Sequence, residues 1–315
     1  MLKYCCTMIV FVFLITGCAH HRAKAPAPVM VHAMQYRSVT NFNQIDVHGP
    51  LNINLHTGYK KPQVLLSGDA RDLAQVQVVV TDNTLYVTLG NGYPHYGAVN
   101  VDIRSRFLNS LHYVGAGAIR GSQLNTSLLN LVLVNKGTTN LSGHIGLRQL
   151  DVNDAGLTQI SGISSPYLQI HMKGRGKVQL TGVANIAQLK MDGDGLFSLY
   201  WVKSDKLTIS ARRSAKIQLA GAVNRLDLEL WGHAHFKGRY LRAQRSFVKT
   251  HGNAVAEVSS VAHQSTLATD ASDVYYYNLS DTRADFMAFN GSVLDMREWD
   301  QPELRDFTLY NKQFP

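Results

Sequence analysis

Lys173, Arg175, Lys190, Arg212, Arg213 and Lys249, with the indole of Trp231 among them, carry the chemistry that this chain offers most openly. Guanidinium and ammonium groups make charge-assisted hydrogen bonds to carboxylates, sulfates and phosphates, and an aromatic face stacks on a sugar ring. Between Lys173 and Lys249 stand fifteen Lys and Arg against five Asp and Glu, whereas Ala254 to Pro315 holds four against ten. With a formal net charge of +9, the basic middle faces an anionic partner and the acidic end repels one. A plainer reading stands beside this one: the cations alternate with acids in an exposed ladder and serve solubility, each pair worth up to about 1 kcal/mol.

Other constellations are thinner. His20-His21 lies in a polar leader without further ligands, and Trp231-Gly-His233-Ala-His235 has two histidines but no third donor nearby. Asp192-Gly-Asp194-Gly has the look of calcium-binding glycine-rich repeats, which need an aspartate in every copy; the equivalents here are Lys136, Ala155, Arg175, Ser214 and His233. Glycoside hydrolysis needs two carboxylates about 5 to 9.5 Å apart, and Asp151, Asp192 and Asp270 fall on copies separated by Lys173 and Arg212. The chain has no G-x-S-x-G, no H-E-x-x-H and no phosphate-cradling loop. No catalytic residue, no metal ligand set and no cofactor are expected, and a polysaccharide lyase or hydrolase is the least favoured reading. No nucleic-acid module is present, so nucleic acid is not an expected partner.

The cysteines are Cys5, Cys6 and Cys18, all near the amino terminus, so neither a disulfide framework nor a thiolate metal site supports the fold. Lys3 followed by the apolar run Met8 to Ile15 has the layout of a secretory signal, too short to span a bilayer comfortably. Leu14-Ile15-Thr16-Gly17-Cys18 resembles the lipobox of bacterial lipoproteins, which implies cleavage after Gly17, a lipid on Cys18 and loss of Lys3, leaving a net charge of +8 from +9. Ala19 stands where such proteins carry an inner-membrane retention aspartate, so the resemblance implies the outer membrane, on its periplasmic side or at the cell surface. Residues 18–36, with Pro26 and Pro28, read as a flexible tether.

Positioning the basic residues is the work of a repeat from about Leu111 to Met296. Aligned turn markers are Gly117, Gly137, Gly156, Gly176, Gly195, Ala215, Ala234, Ala254, Asp273 and Ser292, at steps of 19 or 20 residues. Six residues before each stands an apolar side chain: Leu111, Leu131, Leu150, Ile170, Leu189, Ile209, Leu228, Val248, Leu267 and Phe286. A 20-residue period with apolar residues two apart signifies a β-solenoid, whose coils bury their inner faces only by stacking. At minus three the outward column reads Asn153, Lys173, Asp192, Arg212, Trp231, His251 and Asp270. Tyr275 and Tyr277 are assigned inward and Tyr276 outward, as a plug near the final coil.

Before the repeat, Ile45-Asp-Val47-His-Gly49, Leu51-Asn-Ile53-Asn-Leu55, Leu85-Tyr-Val87 and Val99-Asn-Val101 alternate as strands outside the period, and residues 37–108 are expected to cap the first coil. The lipoprotein leader, Phe42-Asn-Gln-Ile45-Asp-Val47-His-Gly49, Asp82-Asn-Thr-Leu85-Tyr-Val87 and the later apolar-x-Gly-x-Gly rungs together resemble the autotransporter adhesin head GIN domain family (DUF2807-type). The resemblance implies a right-handed parallel β-helix on secreted or lipid-anchored proteins, with no established enzymatic activity. Arg297 to Pro315 is too short for an autotransporter's membrane barrel and is expected to fold over the last coil, with Trp299, Leu304, Phe307, Leu309, Tyr310 and Phe314 as its apolar weight.

The expected protein is thus an all-β solenoid over 37–296, held to the envelope by lipid, binding an anionic polysaccharide or lipopolysaccharide or associating with its own copies as a scaffold. Replacing Cys18 by Ser is expected to move the protein from the membrane pellet to the soluble fraction, while Cys5→Ser and Cys6→Ser leave it in the pellet; fractionation and immunoblotting read the difference.

Overall fold

The computed structural model describes residues 31–153 and 156–297. The signal, the lipobox with Cys18, the His20-His21 pair and the apolar residues after Arg297 lie outside the described residues. The N-terminal part comprises strands β1 (His32–Ser38), β2 (Gln44–His48), β3 (Asn52–His56) and β4 (Gln63–Asp69), helix α1 (Ala70–Leu73), then β5 (Val76–Thr81), β6 (Thr84–Leu89), β7 (Asn100–Arg104) and β8 (Ser110–Gly115). Long strands follow: β9 (Ile119–Asn135), β10 (Thr138–Asn153), β11 (Leu157–Gly174), β12 (Lys177–Gly193), β13 (Leu196–Arg212), β14 (Lys216–Leu230), β15 (His235–Thr250) and β16 (Val255–Thr269). The last are β17 (Asp273–Tyr276), β18 (Arg283–Phe289) and β19 (Ser292–Asp295).

From β8 to β18 each strand pairs in parallel with the equivalent strand one coil on, as a β-solenoid requires. Leu111, Leu131, Leu150, Ile170, Leu189, Ile209, Leu228 and Val248 pair in that order and are all buried. Their outward neighbours alternate with them because strand side chains point to opposite faces. Hydrogen bonding does not lapse at the corners: the carbonyls of Gly156, Gly176, Gly195, Ala215 and Ala234 accept from the N–H of Lys177, Leu196, Lys216, His235 and Val255 at 2.8–3.0 Å. Buried donors and acceptors thereby stay paired where the chain turns.

The marker glycines are small because of close approach. A Cβ on Gly137 would sit 2.2 Å from the carbonyl oxygen of Gly117, whereas Ala215, Ala234 and Ala254 fit, fully buried, in later coils. Positive φ belongs to the residue two before the marker, at Gly174, Arg213, Gly232, Gly252 and Asp270 (φ 62 to 80°). A second bend, six residues after the marker, recurs at Gln123, Gly143, Gly162, Gly182 and Gly221, again with positive φ and beside register shifts in the ladder.

At the C-terminal end the 19-residue step fails. Val248 pairs with Thr266 and Val255 with Asp273, an advance of 18 positions in each case, so the markers there are Ser272 and Gly291, one residue before the expected Asp273 and Ser292. A one-residue shift turns every side chain to the other face. Leu267 accordingly leaves the buried column, and Gln264, Thr266 and Ala268 occupy it. Val274 is buried and Tyr276 packs against the core, opposite to the inward assignment of Tyr275 and Tyr277; burial raises the pKa of all three phenols. Phe286 is 40% exposed because β18 ends the stack among the described residues. Part of this polar interior is paired internally: Gln264 Nε2 donates to Thr266 Oγ1 at 2.8 Å, and Thr250 Oγ1 meets Ser272 Oγ at 2.9 Å.

Two expectations for the N-terminal part are also corrected. β2 and β3 do not cap the stack but form one of its coils: Ile45 pairs with Leu111 on one side and Leu85 on the other, and Ile53 with Ile119 and Val101. Strands β2 and β3 are thus inserted between β6–β7 and β8–β9, and the end is closed by β1, β4 and β5 in antiparallel pairing. The tether expected over 18–36 stops short, since β1 pairs residue by residue with β4 from His32 to Ser38 and supplies hydrogen bonds that β4 would otherwise lack on that edge.

The join between the inserted coil and the regular ones is fastened by Tyr113, whose buried hydroxyl donates to the Leu51 carbonyl at 2.9 Å and accepts from the Gly117 N–H at 2.7 Å. Burial raises its pKa. Tyr113→Phe removes the partner of both backbone groups and is expected to cost about 1–3 kcal/mol in urea unfolding without changing the denaturant slope.

Candidate functional site

Parallel stacking turns each outward position into a column, with successive members about 4.8 Å apart. The column five before the markers runs Val132, Asp151, His171, Lys190, Ser210, Glu229, Lys249. Three before the markers it runs Val134, Asn153, Lys173, Asp192, Arg212, Trp231, His251. Thr269, not Asp270, follows His251: its hydroxyl meets His251 Nδ1 at 2.8 Å, while Asp270 takes the positive-φ corner. The Gly252 N–H, then the Thr269 hydroxyl, bond to the Asp270 carboxylate and hold its pKa below the ordinary value.

Between these columns lies an open groove of about 630 Å³, with Val132 and Val134 at one end, Asp151 and His171 in the middle, and Lys173, Lys190, Asp192 and Arg212 at the other. Lys173, Lys190 and Arg212 make no ion pair among the described residues. Asp151 Oδ1 is 3.1 Å from His171 Nδ1, and its other oxygen accepts from the Gln149 amide at 2.6 Å. A ligand laid here meets an apolar end, a hydrogen-bonding middle and a cationic end on one rigid wall.

The remaining residues of the expected basic face go elsewhere. Arg213 Nε is 3.1 Å from Asp192 Oδ1 and Arg175 Nε is 3.7 Å from Asp194 Oδ2, so both cations are matched at the corner. Lys249 lines a smaller groove of about 330 Å³ with Glu229 and Asp227. Trp231 stacks on His251 with ring centroids 3.9 Å apart and planes 19° from parallel, so one face of the indole is already covered. His235 Nε2 is 3.4 Å from Glu257, while His233 is exposed. The expected basic face takes only the cations Lys190 and Lys249 from the column five before the markers, so Val132 and His171, which share that column, fall outside it, and Asp151 enters only as an isolated carboxylate.

Residues 41–185 and, overlapping them, 163–279 match the family described as "Putative auto-transporter adhesin, head GIN domain". The chain belongs to this family. A crystal structure from Parabacteroides distasonis described as a "putative adhesin" superposes with a TM-score of 0.52 at 16% identity, over 85% of this chain and 97% of that one. At that identity the likeness is one of fold. A "putative adhesin" from Parabacteroides merdae gives 0.49 at 16%, over 84% and 95%, and a "putative lipid binding protein" from Parabacteroides distasonis gives 0.43 at 14%, over 84% and 96%. No curated protein matches the chain. The family is one of adhesin-like proteins, and the groove lies wholly within the part of the chain that its model covers.

Arg213 holds φ +63° at a corner where Gly174, Gly232 and Gly252 stand in other coils. A non-glycine residue there costs about 1–2 kcal/mol, and an exposed ion pair returns under about 1 kcal/mol. Arg213→Gly is therefore expected to raise stability by about 0.5–1 kcal/mol in equilibrium unfolding.

Proposed function

We propose that this head GIN domain protein is a lipid-anchored envelope protein that binds an acidic polysaccharide, lipopolysaccharide included, in the groove across β9 to β13 and performs no chemistry on it. The observation that carries this reading is the convergence of Lys173, Lys190 and Arg212 in one groove without ion-pair partners among the described residues, beside a corner where Arg175 and Arg213 are matched. Adhesin-like family membership supports binding over catalysis, and the lipobox ending at Cys18 supports an anchored position at the outer membrane. The Asp151–His171 contact offers hydrogen bonds to sugar hydroxyls, but the second groove carboxylate, Asp192, is paired with Arg213.

A second reading, self-association, is favoured by the acidic final coils and by the exposed Phe286, Met287 and Phe289 at the end of the stack. Light scattering at low and high salt separates the two, since a monomer at both salts leaves only ligand binding.

The triple substitution Lys173→Gln, Lys190→Gln, Arg212→Gln is expected to weaken binding to acidic polysaccharides at least tenfold, to flatten its dependence on salt, and to leave the unfolding midpoint unchanged. Equal affinity in the triple variant, or no preference for acidic over neutral polysaccharides, would remove the proposal.

A further inference from the structure

Asp46 and His48 are alternate residues of β2, so both side chains leave the outer face of the wall. His112, 66 positions from Asp46 in sequence, stands directly across from it on β8. Asp46 Oδ1 lies 2.8 Å from His48 Nε2 and 3.1 Å from His112 Nδ1, and the two imidazoles meet edge to face with centroids 5.6 Å apart. The three donor atoms fall within 4.8 Å of one another.

Two features separate this group from an ordinary surface hydrogen bond. The first is charge. Asp102 is matched by Arg104 at 3.0 Å, Asp227 by Arg225 at 2.8 Å and Asp192 by Arg213 at 3.1 Å, whereas Asp46 has only the two histidines as ion-pair partners among the described residues. Its carboxylate is just 24% exposed, so it lacks a permanent cation at a place where water screens it poorly. The second is donor geometry. Bonds of about 2.0–2.2 Å to tetrahedral Zn²⁺ set adjacent ligand atoms roughly 3.3 Å apart, near the 2.8 and 3.1 Å already present between Asp46 Oδ1 and the two histidine nitrogens. Two imidazole nitrogens and one carboxylate oxygen suit a borderline divalent ion, not Ca²⁺ or Mg²⁺, which take oxygen.

We infer that Asp46, His48 and His112 form a binding site for a divalent transition-metal ion, Zn²⁺ being the fitting case, with water completing the coordination. The ion would bridge β2 and β8, the seam where the first strands of the chain are inserted into the stack, and so would hold a long-range contact that the coil-to-coil order elsewhere does not need. An ion at this seam closes a long loop as well as neutralising Asp46.

Competition of Zn²⁺ with a chromogenic chelator, and the visible spectrum with Co²⁺, test this on the purified protein. Wild type is expected to bind one Zn²⁺ at this site, to give a Co²⁺ spectrum of low coordination number, and to unfold at a higher temperature as Zn²⁺ is added. His48→Ala, His112→Ala and Asp46→Asn are each expected to weaken that binding at least tenfold, while His171→Ala and the pair His20→Ala, His21→Ala do not. His48 is largely exposed, so its variant keeps the fold even if His112→Ala does not. Unchanged Zn²⁺ affinity and midpoint shift in His48→Ala, or loss only in the His20→Ala, His21→Ala variant, would overturn the assignment.

Discussion

Every feature of this protein rests on the parallel hydrogen-bonded ladder between successive coils. A coil alone has an apolar inner stripe and two open edges, and neither is tolerable in water; stacked, each edge becomes the partner of the next. The requirement is strict at the corners, where a carbonyl such as that of Gly176 still reaches the Leu196 N–H at 3.0 Å. This closeness keeps the markers to Gly, Ala or, in one late coil, Ser, and leaves the positive-φ duty to the position two residues earlier.

The same ladder makes the outer wall a set of columns whose chemistry is decided one residue at a time. Asp192 sits between Lys173 and Arg212 in its column yet makes its 3.1 Å contact with Arg213 from the corner, so charge order along the column does not by itself tell which cations are matched. Rigid backbone spacing then sets the Cα separations of Lys173, Lys190 and Arg212, which make no ion pair among the described residues. The stacked Trp231–His251 pair shows the other outcome of such spacing: two flat rings one rung apart cover each other and offer one free indole face.

At its two ends the molecule departs from its own regularity, and by different means. The C-terminal coils shorten by one residue and exchange aliphatic for hydroxyl and amide groups inside, with Ser246 and Ser260 hydrogen bonded to each other in the core. The N-terminal end is closed by antiparallel strands, and its seam is fastened by Tyr113 and flanked outside by the Asp46, His48, His112 group.

Legibility in the sequence followed locality. The period, the aliphatic column from Leu111 to Val248, the outward order of Lys173, Asp192 and Arg212, and the family could all be read from residues, because one coil repeats the environment of the last and spacing alone encodes it. The one-residue shift after Ala254 could not, since a shortened coil changes no residue type and flips Leu267 and Tyr276 only through register. Nor could the insertion of β2 and β3 beside β8 and β9: no period links Ile45 to Leu111, and their contact exists because a solenoid end needs a partner strand from wherever the chain can supply one. Tertiary pairing alone therefore brought His112 onto Asp46 and set Arg213 against Asp192, for those are distances across the ladder, whereas sequence spacing fixes only position along it.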